Sequence, residues 1–163
     1  MLEVFLSGKK MADQCKNKKP VLWYGWIMNK TIGILMPGDM GHGCGKAFID
    51  NDFKVVSCLN GRSDRTRKLS HAAGIIDLKT IENVIKSADI ILSILPPESA
   101  LKQSKIVNDI ILKVKKKITY VDCNAISPKT AKLIDKSISS EFCNFIDAGI
   151  IGLNPIVENG NTR

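Results

Sequence analysis

The sequence predicts an α/β fold: a doubly wound, mostly parallel sheet with helices on both faces. Two observations carry that expectation. An apolar run over residues 32–36 passes straight into the turn Pro37-Gly38-Asp39-Met40-Gly41, and a stretch of helical character follows through Lys46, Ala47, Phe48 and Ile49. From Phe53 onward, short apolar runs then alternate with longer amphipathic stretches. Short runs that are apolar throughout suit strands buried on both sides, and the stretches between them suit crossover helices.

A strand, a glycine turn and a helix, in that order, are the setting in which the pattern G-x-G-x-x-G binds a dinucleotide. In register, the pattern falls on Met36-Pro37-Gly38-Asp39-Met40-Gly41, so methionine stands in place of the first glycine. Pro37, whose φ is already set, is expected to make the tight turn instead. Gly38 is expected where the backbone meets a pyrophosphate. Asp39 and Met40 belong to the first helical turn, whose free N–H groups attract anionic charge, and Gly41 is where the helix packs on its strand. Gly45, one turn later, continues that packing face. These features make the expected sheet Rossmann-type.

A second strand is expected over residues 53–59. A dinucleotide site specific for NAD places an acidic residue there, roughly 20 residues past the glycine turn. None ends this strand; Asn60, Arg62, Ser63, Arg65, Thr66 and Arg67 crowd the spot instead. A carboxylate would hold a ribose 2′-hydroxyl and repel a 2′-phosphate, whereas arginine and hydroxyl groups do the reverse. Asn60, Arg62, Ser63 and Thr66 are therefore candidate cofactor contacts, and NADP is the expected cofactor.

The remaining elements follow by the same reasoning. A helix is expected over 64–73, ended by Gly74. A short strand at 75–76 and a short helix over 80–87 come next. A fully buried fourth strand, 89–95, is stopped by Pro96-Pro97. The first and fourth strands flank the ligand crevice of such a sheet, so Leu95 and Pro96 are candidate walls beside the cofactor. The longest helix is expected over 98–117, with Ala100, Val107, Ile110, Ile111 and Val114 inward. A fifth strand over 118–123 precedes Ser127-Pro128, an N-cap followed by proline at the first helical position. That helix turns Ala131, Ile134 and Ile138 inward, and a sixth strand over 142–148 leads to a loop-like tail.

Composition narrows the class. The chain has 163 residues, 44% hydrophobic and 25% charged, enough apolar material for one core. No apolar run approaches a membrane span, and the first residues lack a signal-peptide pattern, so a cytoplasmic location is expected. Five cysteines form no C-x-x-C pair and are expected to be reduced and inert. The net charge of +8 invites a nucleic-acid reading, but the densest lysine cluster, at 113–117, has no aromatic interleaved for base stacking. A solvated helix end accounts for it better. His42 and His71 are acid–base candidates by type alone; neither has a carboxylate partner in sequence, and a surface or structural role fits them better. No metal-ligand constellation is present. Residues 1–29, with both tryptophans and no clear periodicity, are expected to be an extension that is disordered or foreign to the functional unit. Residues 30–152 are expected to form the NADP-binding domain and 153–163 its tail.

Several segments together resemble one family. Residues 33–42, Leu95-Pro96-Pro97, Asp122-Cys123-Asn124-Ala125-Ile126-Ser127-Pro128 and Asp147-Ala148-Gly149-Ile150-Ile151-Gly152 are similar, in order and spacing, to the NADP-binding domain of the 6-phosphogluconate and β-hydroxyacid dehydrogenases. The nearest likeness is to a branch whose second domain is helical. The resemblance implies NADP and a small hydroxy acid or keto acid as substrate. It also makes Asn124 and Ser127 loop residues near the nicotinamide, with turn formation and N-capping as their alternative roles. Relatives carry a substrate-binding serine where this chain has Ile151, and a catalytic lysine on a second-domain helix that this chain is expected to lack. The catalytic residues are therefore left unassigned, and the isolated chain is expected to be inactive. A catalytically silent NADP-binding or sensing module is the alternative, and a basic nucleic-acid binder a more distant one.

Overall fold

A computed structural model describes residues 30–152, 154 and 155. The expectations for residues 1–29, and for 153 and 156–163, lie outside the described residues. The strands are β1 (Thr31–Leu35), β2 (Lys54–Ser57), β3 (Ile76–Asp77), β4 (Ile90–Ser93), β5 (Ile118–Asp122) and β6 (Cys143–Asp147). The helices are α1 (Asp39–Ile49), α2 (Asp64–Ala73), α3 (Ile81–Ser87), α4 (Pro97–Val114) and α5 (Pro128–Ile138). All six strands run parallel in the order β3-β2-β1-β4-β5-β6. This is the Rossmann order, and it reverses between β1 and β4.

Each face of the sheet has its own core. On one, α3, α4 and α5 bury Val84, Ile85, Val107, Ile111, Ile134 and Ile138 against Leu35, Val56, Ile91 and Tyr120. On the other, Phe48 and Ile49 of α1 and Ala73 of α2 pack on Ile32, Ile34 and Val55. The glycines of α1 bring that helix close: a Cβ on Gly41 would stand 3.2 Å from the Met36 carbonyl oxygen. Ser57 ties β2 to β1 by donating its hydroxyl to the Ile34 carbonyl at 2.7 Å.

Local chemistry explains the element ends. Ser63 caps α2 by accepting from the Thr66 N–H, and Gly74 ends it with φ +83°. Ser127 caps α5, and Ala131, Ile134 and Ile138 are buried as expected. The long helix corrects the expected range at both ends. It starts at Pro97 and stops at Val114, because Lys115 turns left-handed (φ +55°) and donates its N–H to Ile111. Its buried side is Ala100, Ser104, Val107 and Ile111, while Ile110 and Val114 are only half-buried. Nor is β4 buried on both sides. Ile90 and Leu92 belong to a third cluster, with Val121, Cys123 and Ala148, drawn from strands and the loops that leave them, and both stay half-buried.

Candidate functional site

β1 and β4 end side by side, and the segments leaving β1, β2 and β4 enclose an open crevice of about 430 Å³. From the glycine turn it is lined by Met36, Gly38, Asp39, Met40 and Gly41. The exit of β2 adds Gly61, Arg62, Ser63 and Thr66, and the exit of β4 adds Ile94, Leu95 and Pro96. Three expected residues are not in this lining: Pro37 is buried beneath the turn, Asn60 is exposed beside it, and Asn124 lies below Leu95.

The glycine turn is built differently from the expectation. Met36 itself takes a left-handed conformation (φ +54°), which was not expected of it, and Pro37 makes the tight turn that follows. Pro37 sits at the centre of a three-residue turn closed by the Gly38 N–H donating to the Met36 carbonyl at 2.7 Å. Gly38 has an ordinary φ of −70°, and a Cβ there would meet nothing nearer than that same oxygen at 4.0 Å. Neither backbone angle nor packing therefore calls for glycine here; its effect is to leave the crevice wall bare.

Helix capping marks the same place. Ser63, Thr80 and Ser127 cap α2, α3 and α5 with their side chains. α1 and α4 begin at Gly38 and Pro96 without a side-chain cap, and both beginnings open on the crevice. In α1 the first-turn N–H groups without a partner among the described residues form an anion seat, whereas in α4 Pro97 has no N–H and Ser99 donates its own to the Pro96 carbonyl at 2.9 Å. The residues present thus fit a dinucleotide's pyrophosphate. His42 faces the other way: its ring is buried and its Nδ1 donates to the Gly38 carbonyl at 2.8 Å, pinning the first turn of α1. It is structural, and it is not at the surface. His71 is exposed on α2.

At the β2 exit the Arg62 guanidinium makes no hydrogen bond to a described residue, whereas Arg67 donates from Nε to the Arg62 carbonyl at 3.1 Å. Ser63 and Thr66 hydroxyls lie 3.1 Å apart. Arg65 reaches back to Asp39, with nitrogen–oxygen distances of 2.6 and 3.0 Å, and holds that carboxyl below the usual carboxylate range. Two residues here escaped the sequence reading. Gly61 supplies a turn at φ +71°, which the Asn-Gly dipeptide signals. Asp77 accepts the Leu59 N–H at 3.0 Å and the Lys79 N–H at 2.9 Å, fixing where β2 ends. Burial raises the Asp77 pKa, but those bonds and the Lys79 ammonium outweigh it and leave the carboxyl below its usual range.

Asn124 is turned inward. Its Oδ1 accepts the Leu95 N–H at 2.6 Å, and its amide nitrogen donates to Ser93 Oγ and Asp122 Oδ2, each at 3.1 Å. All three polar side chains are buried, and burial pushes the Asp122 carboxyl up against the opposing hydrogen bonds from Asn124. Asn124 thus positions the crevice wall at Leu95. Ser127 is the α5 cap, and Lys129 is exposed on that helix outside the crevice. In the basic run, Lys113 pairs with Glu82 at 3.2 Å, and Lys116 donates to the Lys86 and Ala88 carbonyls at the end of α3. Among the described residues there is no cluster of metal-ligating side chains, and no helix is long and apolar enough to cross a membrane.

Residues 31–162 match the family model of the NAD-binding domain of 6-phosphogluconate dehydrogenase. The chain belongs to that family. A relative from Methanothermus fervidus, known as an uncharacterized 28.5 kDa protein in the 7S RNA 5′ region, is 33% identical over 121 residues, which is 74% of this chain and 45% of the relative. A solved conserved protein of unknown function, reported as structurally similar to 3-hydroxyacid dehydrogenases, superposes with a TM-score of 0.66 at 26% identity, over 75% of this chain and 44% of its own. The 3-hydroxyisobutyrate dehydrogenase of Mycobacterium tuberculosis, solved with L-serine, gives a TM-score of 0.65 at 17% identity, over 77% and 42%, and shares the fold. The chain spans less than half the length of these relatives. In this NAD-binding domain the crevice coincides with the switch point of the strand order, where open α/β sheets bind their ligands.

Proposed function

We propose that residues 30–152 form an NADP-binding domain serving an oxidoreductase that acts on a small hydroxy acid or its keto form. The observation that carries the choice of NADP is the β2 exit. There the Arg62 guanidinium makes no hydrogen bond to a described residue and lies beside the Ser63 and Thr66 hydroxyls, and no carboxylate ends the strand. A 2′-phosphate would meet a charge-assisted donor and two hydroxyls. The substrate class rests on the fold shared with a 3-hydroxyisobutyrate dehydrogenase and with a protein reported as structurally similar to 3-hydroxyacid dehydrogenases. When bound, the nicotinamide would supply the hydride acceptor for a hydroxy acid or, in its reduced form, the hydride donor for the keto acid. The chain's own residues would hold the diphosphate at the bare first turn of α1 and border the site with Leu95 and Pro96.

Proton transfer needs a further group. The ionisable side chains lining the crevice are Asp39 and Arg62. A guanidinium offers donors and no acceptor, and the Asp39 carboxylate is held by Arg65, so neither is suited to act as a general base. The described residues that line the crevice thus supply no proton carrier, and the chain by itself is expected to bind cofactor without turnover. Fluorescence titration with NADPH and NADH tests the reading. Arg62→Ala should weaken NADPH about tenfold or more, the worth of one charge-assisted hydrogen bond, and leave NADH nearly unchanged. Equal losses for both cofactors would sink the 2′-phosphate assignment. The same samples, offered small hydroxy and keto acids, should show no change in nicotinamide absorbance.

A further inference from the structure

The bidentate pair between Asp39 and Arg65 joins the first turn of α1 to the first turn of α2 beside the crevice. Asp39 is the first residue of α1 and lines the crevice; Arg65 is the second residue of α2. Both side chains are largely exposed, 63% and 70%, and pairs so open to water contribute little to folding. Position gives this pair another consequence. A carboxylate in the first turn of a helix whose N–H groups are uncapped stands at the anion seat itself, where it favours the helix and repels a phosphate. Arg65, held on that carboxylate, cancels the repulsion. We propose that the Asp39–Arg65 pair sets the crevice's affinity for phosphorylated ligands, Asp39 lowering it and Arg65 restoring it, and thereby helps discriminate NADPH from NADH.

The inference rests on the nucleotide reading of the same crevice and adds two residues with opposite signs. Charge decides the discrimination. A 2′-phosphate brings a further charge of about −1.5 to −2 into the field of the pair, so NADPH senses each substitution more than NADH does. Both partners are open to water, so the effect is screened by salt, whose Debye length is about 8 Å at physiological strength.

The test titrates the full chain and its D39N, R65A and D39N/R65A variants with NADPH and with NADH at low ionic strength, and records the melting temperature of each. D39N should tighten NADPH roughly three- to tenfold, with a smaller gain for NADH, and R65A should weaken NADPH by a similar factor. The double variant should fall near the parent chain, and all differences should shrink in about 0.5 M salt. Loss or no gain of affinity in D39N overturns the inference. So does a fall in melting temperature for both single variants with cofactor binding unmoved, the mark of a mere staple between α1 and α2. If the parent chain binds neither cofactor, the nucleotide reading fails and the inference with it. That result is distinct from a parent that binds while D39N binds no tighter.

Discussion

At Gly38 an added Cβ would meet nothing of the protein nearer than the Met36 carbonyl oxygen, 4.0 Å away, and the backbone φ of −70° suits any residue. A side chain there would project into the crevice instead of into the core. Gly38→Val should therefore cost at most about 1 kcal/mol of stability, the scale of a weakened N-cap. NADPH affinity should fall more than about tenfold, since a branched side chain occupies the diphosphate's approach. Calorimetric titration beside a thermal melt checks both halves, and unchanged affinity would make the turn merely structural. Gly38, Gly41, Arg62 and Thr66 were legible in the sequence because a strand, a turn and a helix N-terminus fix where such residues go through the backbone alone. Asn124 was legible in place but not in direction. Its amide points to Leu95, Ser93 and Asp122, groups 29, 31 and 2 residues away, a choice that only the packed β4 and β5 define. Met36 was misread for a related reason: a left-handed methionine costs about 1–2 kcal/mol by itself and persists only because its neighbours hold it.

Between elements, the contact of α1 with the sheet governs where the anion seat lies. A Cβ on Gly45 would stand 2.7 Å from Ile75 Cδ1, 3.1 Å from Ile75 Cγ1 and 3.3 Å from Ile34 Cδ1, so those side chains must shift to admit it, and a branched residue crowds them further. Gly45→Val should lift the helix off β1 at a cost of about 1–3 kcal/mol from overpacking. Since Gly38 and Asp39 begin the same helix, NADPH binding should weaken too, although residue 45 does not line the crevice. Urea unfolding followed by titration reads both effects; destabilisation with full affinity would uncouple the helix contact from the site. The four-residue spacing of Gly41 and Gly45 announced this contact in the sequence. Other elements were less legible. An apolar run such as 89–95 looks the same whether one or both sides are covered, so the half-exposure of Ile90 and Leu92 had no local signal. Lysines are good helix formers, so the basic run at 113–117 hid the stop that Lys115 makes by turning left-handed.

For the molecule as a whole, the cysteines report how the layered sheet opens. Cys44 on α1, Cys123 after β5 and Cys143 at the start of β6 are buried, and burial pushes their thiols up to about 11, 12 and 11. Cys58, half-buried after β2, donates its Sγ to the Lys79 carbonyl at 3.2 Å near the surface. The thiolate is the reactive form, and a group titrating near 11 offers only roughly one part in 10³ of it at pH 8. Burial adds a steric barrier, so the three inner thiols react mainly through opening of the structure. Openings range from local fraying to global unfolding. Among the described residues β6 is an edge strand, hydrogen-bonded to β5 on one side only, whereas β5 and β1 each lie between two strands. Alkylation at pH 8, followed by peptide mapping, should therefore label Cys58 first among the cysteines of the described residues, and Cys44, Cys123 and Cys143 at least about a hundredfold more slowly. Cys143 should lead Cys44 and Cys123, because fraying of an edge strand costs less than opening the sheet at its centre. In mild urea the three inner rates should converge as global unfolding takes over. Labelling of Cys123 as fast as Cys58 in native buffer would show the β5 end of the sheet open to solvent, against the burial on which the crevice wall at Asn124 and Leu95 depends.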